Sequence, residues 1–277
     1  MAEQTPDDII KQIELTYLSL SPSGKKIAHY LQQNPIAVLS QSTSQIAEST
    51  GTSKATVSRL FRQLGFASHQ EAKAAQSLVR QQGVPLGRAV ETTEQIQQEI
   101  TNVSGTLEGI DAHTLTSVAN LLAGANQLTI IGYRNAYPLA LHFRQQLMQI
   151  RRSVSLLPQP GQTIGEDIVD VNQDDIVILF GFRRRTRQFS FVLDAVKHAR
   201  VILITDPTGQ AYKPDVEHLL VCQLGETLPF DSYAAPMSLI STLCNLTYEK
   251  LGDAAAKRVN TITDTYVQLD ELANPKL

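Results

Sequence analysis

The residues most ready for chemistry lie in Ser53-Lys54-Ala55-Thr56-Val57-Ser58-Arg59-Leu60-Phe61-Arg62-Gln63-Leu64, where cations and hydroxyls alternate with apolar side chains. Val57, Leu60, Phe61 and Leu64 stand at i, i+3, i+4 and i+7, so they form one stripe of a helix running to about Gln63. The opposite face carries Ala55, Ser58, Arg59 and Arg62, flanked by Lys54 and Thr56. Guanidinium and ammonium groups hold phosphate oxygens, and short polar side chains early in such a helix reach base edges. The expected assignment gives Lys54, Thr56 and Ser58 to base edges, with Ala55 on the same face and Arg59 and Arg62 on phosphates. Lys25 and Lys26, at the start of another helix, are further candidates for phosphate contact.

The elements that position this face are legible too. Ser53 suits an N-cap. Ile46 and Ala47 begin the apolar stripe of a preceding helix, and Gly51 falls in the turn, where a positive φ carries no steric cost. This is the helix-turn-helix layout, whose second helix lies in the DNA major groove. An αα-hairpin with a solvated polar face shares the stripe and the turn. The N-cap, the small Ala47 at the crossing and the cationic, hydroxyl-rich face favour DNA.

Composition narrows the classes. A chain of 277 residues has room for two domains, and 42% hydrophobic against 18% charged residues is globular usage. No apolar run approaches the roughly 20 residues of a membrane span, and the acidic start MAEQTPDDIIKQ does not read as a secretory signal. Cys222 and Cys244 sit in apolar runs and read as buried free thiols, while His29, His69, His113, His142, His198 and His218 show no ligand spacing. No metal or cofactor is expected, and the implied location is cytoplasmic. The net charge is −3, yet residues 1–80 hold eight Lys and Arg against six Asp and Glu, a local +2. Phosphate affinity follows such local placement.

Helical patterns cover residues 7–82: a first helix at 7–20 with Ile9, Ile10, Ile13, Leu18 and Leu20 apolar, a second from Pro22 to about Gln33, the helix pair above, and one at 68–82. Gly83-Val84-Pro85-Leu86-Gly87 reads as a linker. Residues 90–123 read as helical with a break at 109–111, where Asp111 can cap. From Gln127 the period changes to short Val- and Ile-rich runs at 128–133, 154–158, 175–182, 201–206 and 218–224, with helices at 136–150, 186–199 and 232–251. Such alternation predicts a doubly wound parallel sheet, with ligands at the carboxyl ends of the strands. A last helix is expected at 251–269. The predicted class is α plus α/β: a helix-turn-helix domain at 1–82, a linker and connecting helix at 83–110, and an effector-binding and oligomerisation domain at 111–277.

The order of these parts resembles the RpiR/MurR-type bacterial transcription regulators, which join an RpiR-type helix-turn-helix to a SIS (sugar isomerase) domain. The residues that carry the likeness are KKIAHYLQQNP (25–35), SQIAESTGTSKATVSRLFRQLGF (44–66) and the ordered strands from 127. The family's first SIS loop usually reads G-x-G-x-S-x-x-x-A; here Gly132 and Ala140 match, while Arg134 replaces the second Gly and Ala136 the Ser. The second usually reads S-x-S-G-x-T; here it is Gly181-Phe182-Arg183-Arg184-Arg185-Thr186. Serines have given way to arginines, which suit phosphate or carboxylate because they donate two parallel hydrogen bonds. The resemblance therefore implies an acidic effector held by Arg134, Asn135, some of Arg183, Arg184 and Arg185, and Thr186, aided by helix N-termini near Asn135 and Thr186. Three consecutive arginines cannot all face one pocket. Asp206 reads as a turn cap, and Asp231 or Ser232 as an N-cap beside Thr227.

Three functions compete on this reading. A ligand-responsive, non-enzymatic DNA-binding regulator acting as a homodimer or homotetramer uses every feature. A sugar-phosphate isomerase needs a poised acid/base pair, which the loops do not supply. An architectural DNA-binding dimer, whose α/β domain only provides oligomerisation, is kept open by the altered loop motifs.

Overall fold

The computed structural model describes residues 8–81, 92–225 and 230–272. The expected linker at 83–87 and Thr227 lie outside them. The chain divides into two compact units, 1–98 with 224–232 and 99–223 with 233–277, one cut falling within a helix between Gln98 and Glu99, and each is described on its own.

The first unit is built on α1 (Ile9–Thr16) with a 3-10 turn at 17–19, α2 (Pro22–Gln33), α3 (Ala37–Ser40), α4 (Thr43–Thr50), α5 (Lys54–Gln63) and α6 (His69–Gln81). Ser21 caps α2 with Pro22 at its first position. α4 opens on a capping box between Ser42 and Gln45 and closes on Gly51, which has φ 61°. Thr52 N donates to Ala47 O at 2.9 Å across that turn. Ser53 then caps α5 through Thr56 N at 3.2 Å. Val57, Leu60, Phe61 and Leu64 are buried in one cluster with Ile13, Ile27, Leu31 and Ile46. Each such side chain contributes about 1.5–3 kcal/mol on burial, so the stripe fixes which face of α5 stays in water. The expected 7–20 helix is shorter, because the chain tightens after Thr16, and Leu18 is turned to solvent at 92% exposure.

The second unit begins within α7 (Thr92–Glu108) and continues with α8 (Ala112–Gly124), capped by Asp111 through Thr114 N at 2.8 Å. Five parallel strands follow: β1 (Leu128–Gly132), β2 (Val154–Leu157), β3 (Ile176–Gly181), β4 (Arg200–Thr205) and β5 (His218–Val221), in the order β2-β1-β3-β4-β5. Between and after them run α9 (Ala136–Ile150), the short α10 (Gly165–Ile168), α11 (Phe189–Val196), a 3-10 segment at Pro207–Asp215, α12 (Ala234–Leu251) and α13 (Asp253–Leu269). β1 and β3 are buried at every position because both sheet faces are covered. Val177, Leu179, Val201 and Leu203 meet α11 through Phe189, Val192, Leu193 and Val196 on one face. On the other, Phe180 meets Phe143 of α9 edge to face at 6.3 Å.

Three expectations need correction. α11 starts at Phe189, so 182–188 stays irregular and Thr186 precedes the helix. α12 starts at Ala234, later than expected, with Tyr233 at its N-cap position. The stretch after Asp206 winds as 3-10 helix, with Pro207 and Pro214 inside the segment.

Candidate functional site

In the helical unit, the outward face of α5 places Lys54, Ala55, Arg59 and Arg62 in solvent, with Thr56 and Ser58 half-buried beside them. The Thr56 hydroxyl lies 2.9 Å from that of Ser53, so the cap also orients a residue of this face. Lys26 is exposed, whereas the Lys25 ammonium sits 5.6 Å from the Tyr17 ring centroid and is held there by the ring quadrupole.

In the sheet unit, the strand order reverses between β1 and β3, which are direct neighbours with Gly132 paired to Phe180. Loops leaving two such strands diverge to opposite faces and open a crevice at the strand ends. The loop after β1 carries Arg134 and Asn135, and the loop after β3 carries Arg183, Arg184, Arg185 and Thr186. Arg134 has φ 55° and Arg184 φ 67°; the only other non-glycine residues with positive φ among those described are Ser153 and Asp270. A left-handed conformation costs an L-residue about 1–2 kcal/mol, and such strain gathers at functional sites. The sequence carried a signal for both, since each arginine stands where the family pattern has glycine.

Close packing holds these loops. A Cβ on Gly132 would lie 2.7 Å from Ala136 O and 2.8 Å from the Ala140 Cβ, so β1 runs tightly onto α9. Asn135 is the N-cap of α9 and Gln188 that of α11, and neither side chain caps its helix. Loop carbonyls serve instead: Ala136 N donates to Tyr133 O, Tyr137 N to Arg134 O and Phe189 N to Thr186 O, each at 3.0 Å, and Pro138 has no N–H to offer.

Arg185 is placed unlike its neighbours. Its Nη2 donates to Thr205 Oγ1 at 2.7 Å and to Asp206 Oδ1 at 3.1 Å, and its Nη1 donates to Thr208 Oγ1 at 2.9 Å. The guanidinium also stands 5.5 Å from the ring centroids of both Phe189 and Tyr212. Asp206 is buried with a side chain 2% exposed and accepts from Thr208 N as the cap of the 3-10 segment. Arg185 is thus an internal tie between the loops after β3 and β4, its charge balanced by Asp206. Asp206 combines the expected turn cap with an ion pair that local sequence does not disclose, because the partner lies 21 residues away.

Tyr133 was not singled out by its sequence. It packs half-buried against the cluster containing Phe189, and desolvation raises its phenol pKa above the ordinary value of 10. Cys222 and Cys244 are buried free thiols; burial pushes the Cys244 pKa up to about 12 and raises that of Cys222 further. Among the described residues no cluster of His, Cys, Asp and Glu could hold a metal, and no helix is long and apolar enough to cross a membrane.

Comparison with known proteins agrees with this architecture. The helix-turn-helix domain of the rpiR family matches residues 8–78, and the SIS domain matches residues 121–246. A protein of Caldanaerobacter subterraneus named as an HTH-type transcriptional regulator is 30% identical over 135 residues, covering 45% of this chain and 48% of its own. One of the same name from Haemophilus influenzae is 25% identical over 156 residues, covering 52% and 54%. The chain thus spans about half the length of the curated relatives it matches. Among solved structures, Vibrio vulnificus NanR complexed with ManNAc-6P superposes with a TM-score of 0.60 at 16% identity, covering 96% of this chain and 100% of that one. The sugar isomerase domain of an RpiR transcription factor from Sphaerobacter thermophilus gives 0.56 at 15% identity over 62% and 97%. Helical unit and parallel sheet together place the chain in the regulator family that joins an rpiR-type helix-turn-helix domain to a SIS domain.

Proposed function

We propose that the chain binds an operator through α5 and that a small anion at the β1/β3 strand ends modulates this binding. The observation that carries the effector half is the pair of left-handed arginines, Arg134 and Arg184, on loops that leave two adjacent strands. Two guanidiniums suit a dianion such as a phosphate monoester. Arg134, Asn135, Arg183 and Arg184 are the residues assigned to it, with Thr186 set behind them and Arg185 holding the second loop. Phosphosugars are the class to test first, since the NanR structure of the same fold holds ManNAc-6P.

For the DNA half, Lys54, Thr56 and Ser58 are assigned to base edges, Ala55 to apolar contact, and Arg59, Arg62 and Lys26 to phosphates, with Lys25 near them. Two copies would present paired α5 helices to half-sites about one DNA turn apart, or a multiple of it. A binding role is favoured over proton-transfer chemistry because Asp206, the carboxylate at the β4 end, is already committed to Arg185 and to capping. The test is a mobility-shift assay on DNA upstream of the chain's own gene, repeated with phosphosugars and organic acids. A shift that one of these acids changes supports both halves; no shift at any concentration removes the first, and a shift that no anion alters removes the second.

A further inference from the structure

We propose that Thr106 of α7 is a positioning residue for regulation: a ligand that moves the loop after β3 acts on α7 by way of the ends of β4 and β5. This rests on the anion-modulation reading above and assigns the part that carries the effect. The links are hydrogen bonds inside the sheet unit. Arg185, in the loop after β3, donates from Nη2 to Thr205 Oγ1 at 2.7 Å, and that hydroxyl donates to Gly181 O at 2.6 Å. Thr205 O accepts from Cys222 N at 2.7 Å, just past β5, and the next residue, Gln223, donates from its N–H to Thr106 Oγ1 at 2.8 Å. Thr106 and Thr205 are fully buried. A Cβ on Gly105 would lie 3.5 Å from Gln223 Cγ, so α7 rests directly on the chain leaving β5.

Helix formation and packing give no reason for a hydroxyl at 106. Threonine is a mediocre helix former, and valine would fill the same volume. Yet α7 turns two polar side chains inward a turn apart, Asn102 and Thr106, where an amphipathic helix presents an apolar stripe. The hydroxyl bonds a backbone N–H that an apolar side chain would only touch. A ligand held by Arg183 and Arg184 moves the stretch 182–188, which lies mostly outside helix and strand, and Arg185 moves with it. Thr205 is gripped twice, by Arg185 on its side chain and by Cys222 on its carbonyl, so the ends of β4 and β5 move together. The bond from Gln223 to Thr106 is then either kept, with α7 following, or broken, with α7 released; a half-made bond at a buried hydroxyl is the costly state. From Thr106 the helix continues without a break back to Thr92, past the division between Glu99 and Gln98. The helix itself therefore delivers the change to the helical unit.

The experiment measures a coupling factor, the ratio of DNA affinities without and with saturating phosphosugar, by fluorescence anisotropy of the full chain on DNA upstream of its own gene. The probes are N-acetylmannosamine 6-phosphate, glucosamine 6-phosphate and glucose 6-phosphate, and the proteins are wild type, Thr106→Val and Thr106→Ser. Wild type is expected to show a factor of about 5–150 with at least one probe. Thr106→Val should bring that factor below about 2, while its phosphosugar affinity by calorimetry and its DNA affinity without phosphosugar stay within about 3-fold of wild type. Thr106→Ser keeps the hydroxyl and should keep the wild-type factor. A wild-type factor in the valine variant, or its loss in the serine variant, overturns the proposal while leaving modulation standing. Loss of either affinity in the valine variant overturns it as well, because Thr106 would then serve folding alone. Hydrogen exchange of wild type needs no substitution: amides of 100–108 and 218–225 should change protection when the probe is added, and unchanged exchange there also overturns it. If no probe alters the DNA affinity of wild type, the modulation reading falls and this inference with it.

Discussion

Replacing Arg134 by glycine separates strain from function at one position. Arg134 is exposed and holds φ 55°, a conformation that costs an arginine about 1–2 kcal/mol and a glycine almost nothing. Glycine brings its own loss, about 0.5–1 kcal/mol, through the wider freedom of the unfolded chain. The difference leaves Arg134→Gly more stable by about 0.5–1 kcal/mol, a rise of about 1–4 °C in melting temperature for a unit of this size. The same change removes a charge-assisted bond to the anion. Such bonds are worth about 1.5–3 kcal/mol, and at an exposed site the lower end applies, so affinity should fall about tenfold. Arg134→Ala keeps the strain and loses the guanidinium, and should weaken binding with no gain in stability. Scanning calorimetry and titration with phosphate or a phosphosugar read the two effects separately. A glycine variant that binds at wild-type strength, or that melts lower than wild type, would refute the reasoning: the left-handed arginine would then be kept for neither ligand nor charge.

Three further outcomes follow from other parts of the molecule. Arg59→Ala with Arg62→Ala should weaken operator binding and lower the salt dependence by about one log–log unit per lost phosphate contact, measured by mobility shift across a salt series; an unchanged slope removes both from the phosphate assignment. Arg151, 8% exposed, donates to the carbonyls of Leu122, Ala125 and Arg152 and so caps the end of α8; Arg151→Met should cost about 2–4 kcal/mol in urea unfolding, and a loss below half of this would deny it that role. His69 Nε2–H donates to Val38 O at 3.1 Å and packs on Phe61, and burial lowers its pKa below 6.5. The unfolded chain therefore takes up this proton first, so the stability His69 contributes is present above about pH 6.5 and is lost as pH falls through the folded value. Thermal melts of wild type and His69→Asn between pH 7.5 and 5 should converge on acidification as the wild type loses this contribution, and parallel curves would contradict the assignment.

What could be read before folding was whatever depends on neighbours in sequence. The α5 stripe, Ser53 as cap, Gly51 in the turn and the α9 span 136–150 each follow from residues within a turn or two. What could not be read depends on partners far along the chain. Among three consecutive arginines nothing local marks Arg185 as the inward one, because Asp206, Thr208 and Tyr212 choose it from 21 to 27 residues away. Arg151 likewise looks like a surface residue at a helix end until α8 brings its carbonyls within reach. Tyr133 has no motif to announce it, and its half-buried place follows from the cluster beneath it.

Gly181 ties the loop after β3 to the interior of the fold. A Cβ there would lie 2.4 Å from the Phe189 ring, the same ring that borders the Arg185 guanidinium. Enlarging residue 181 therefore forces Phe189 aside, and with it the support on which the loop is built. A new side chain at 181 thus requires a smaller one at 189 in the same lineage, and either change alone costs stability. Relatives with a larger residue at 181 should accordingly carry the two positions changed together.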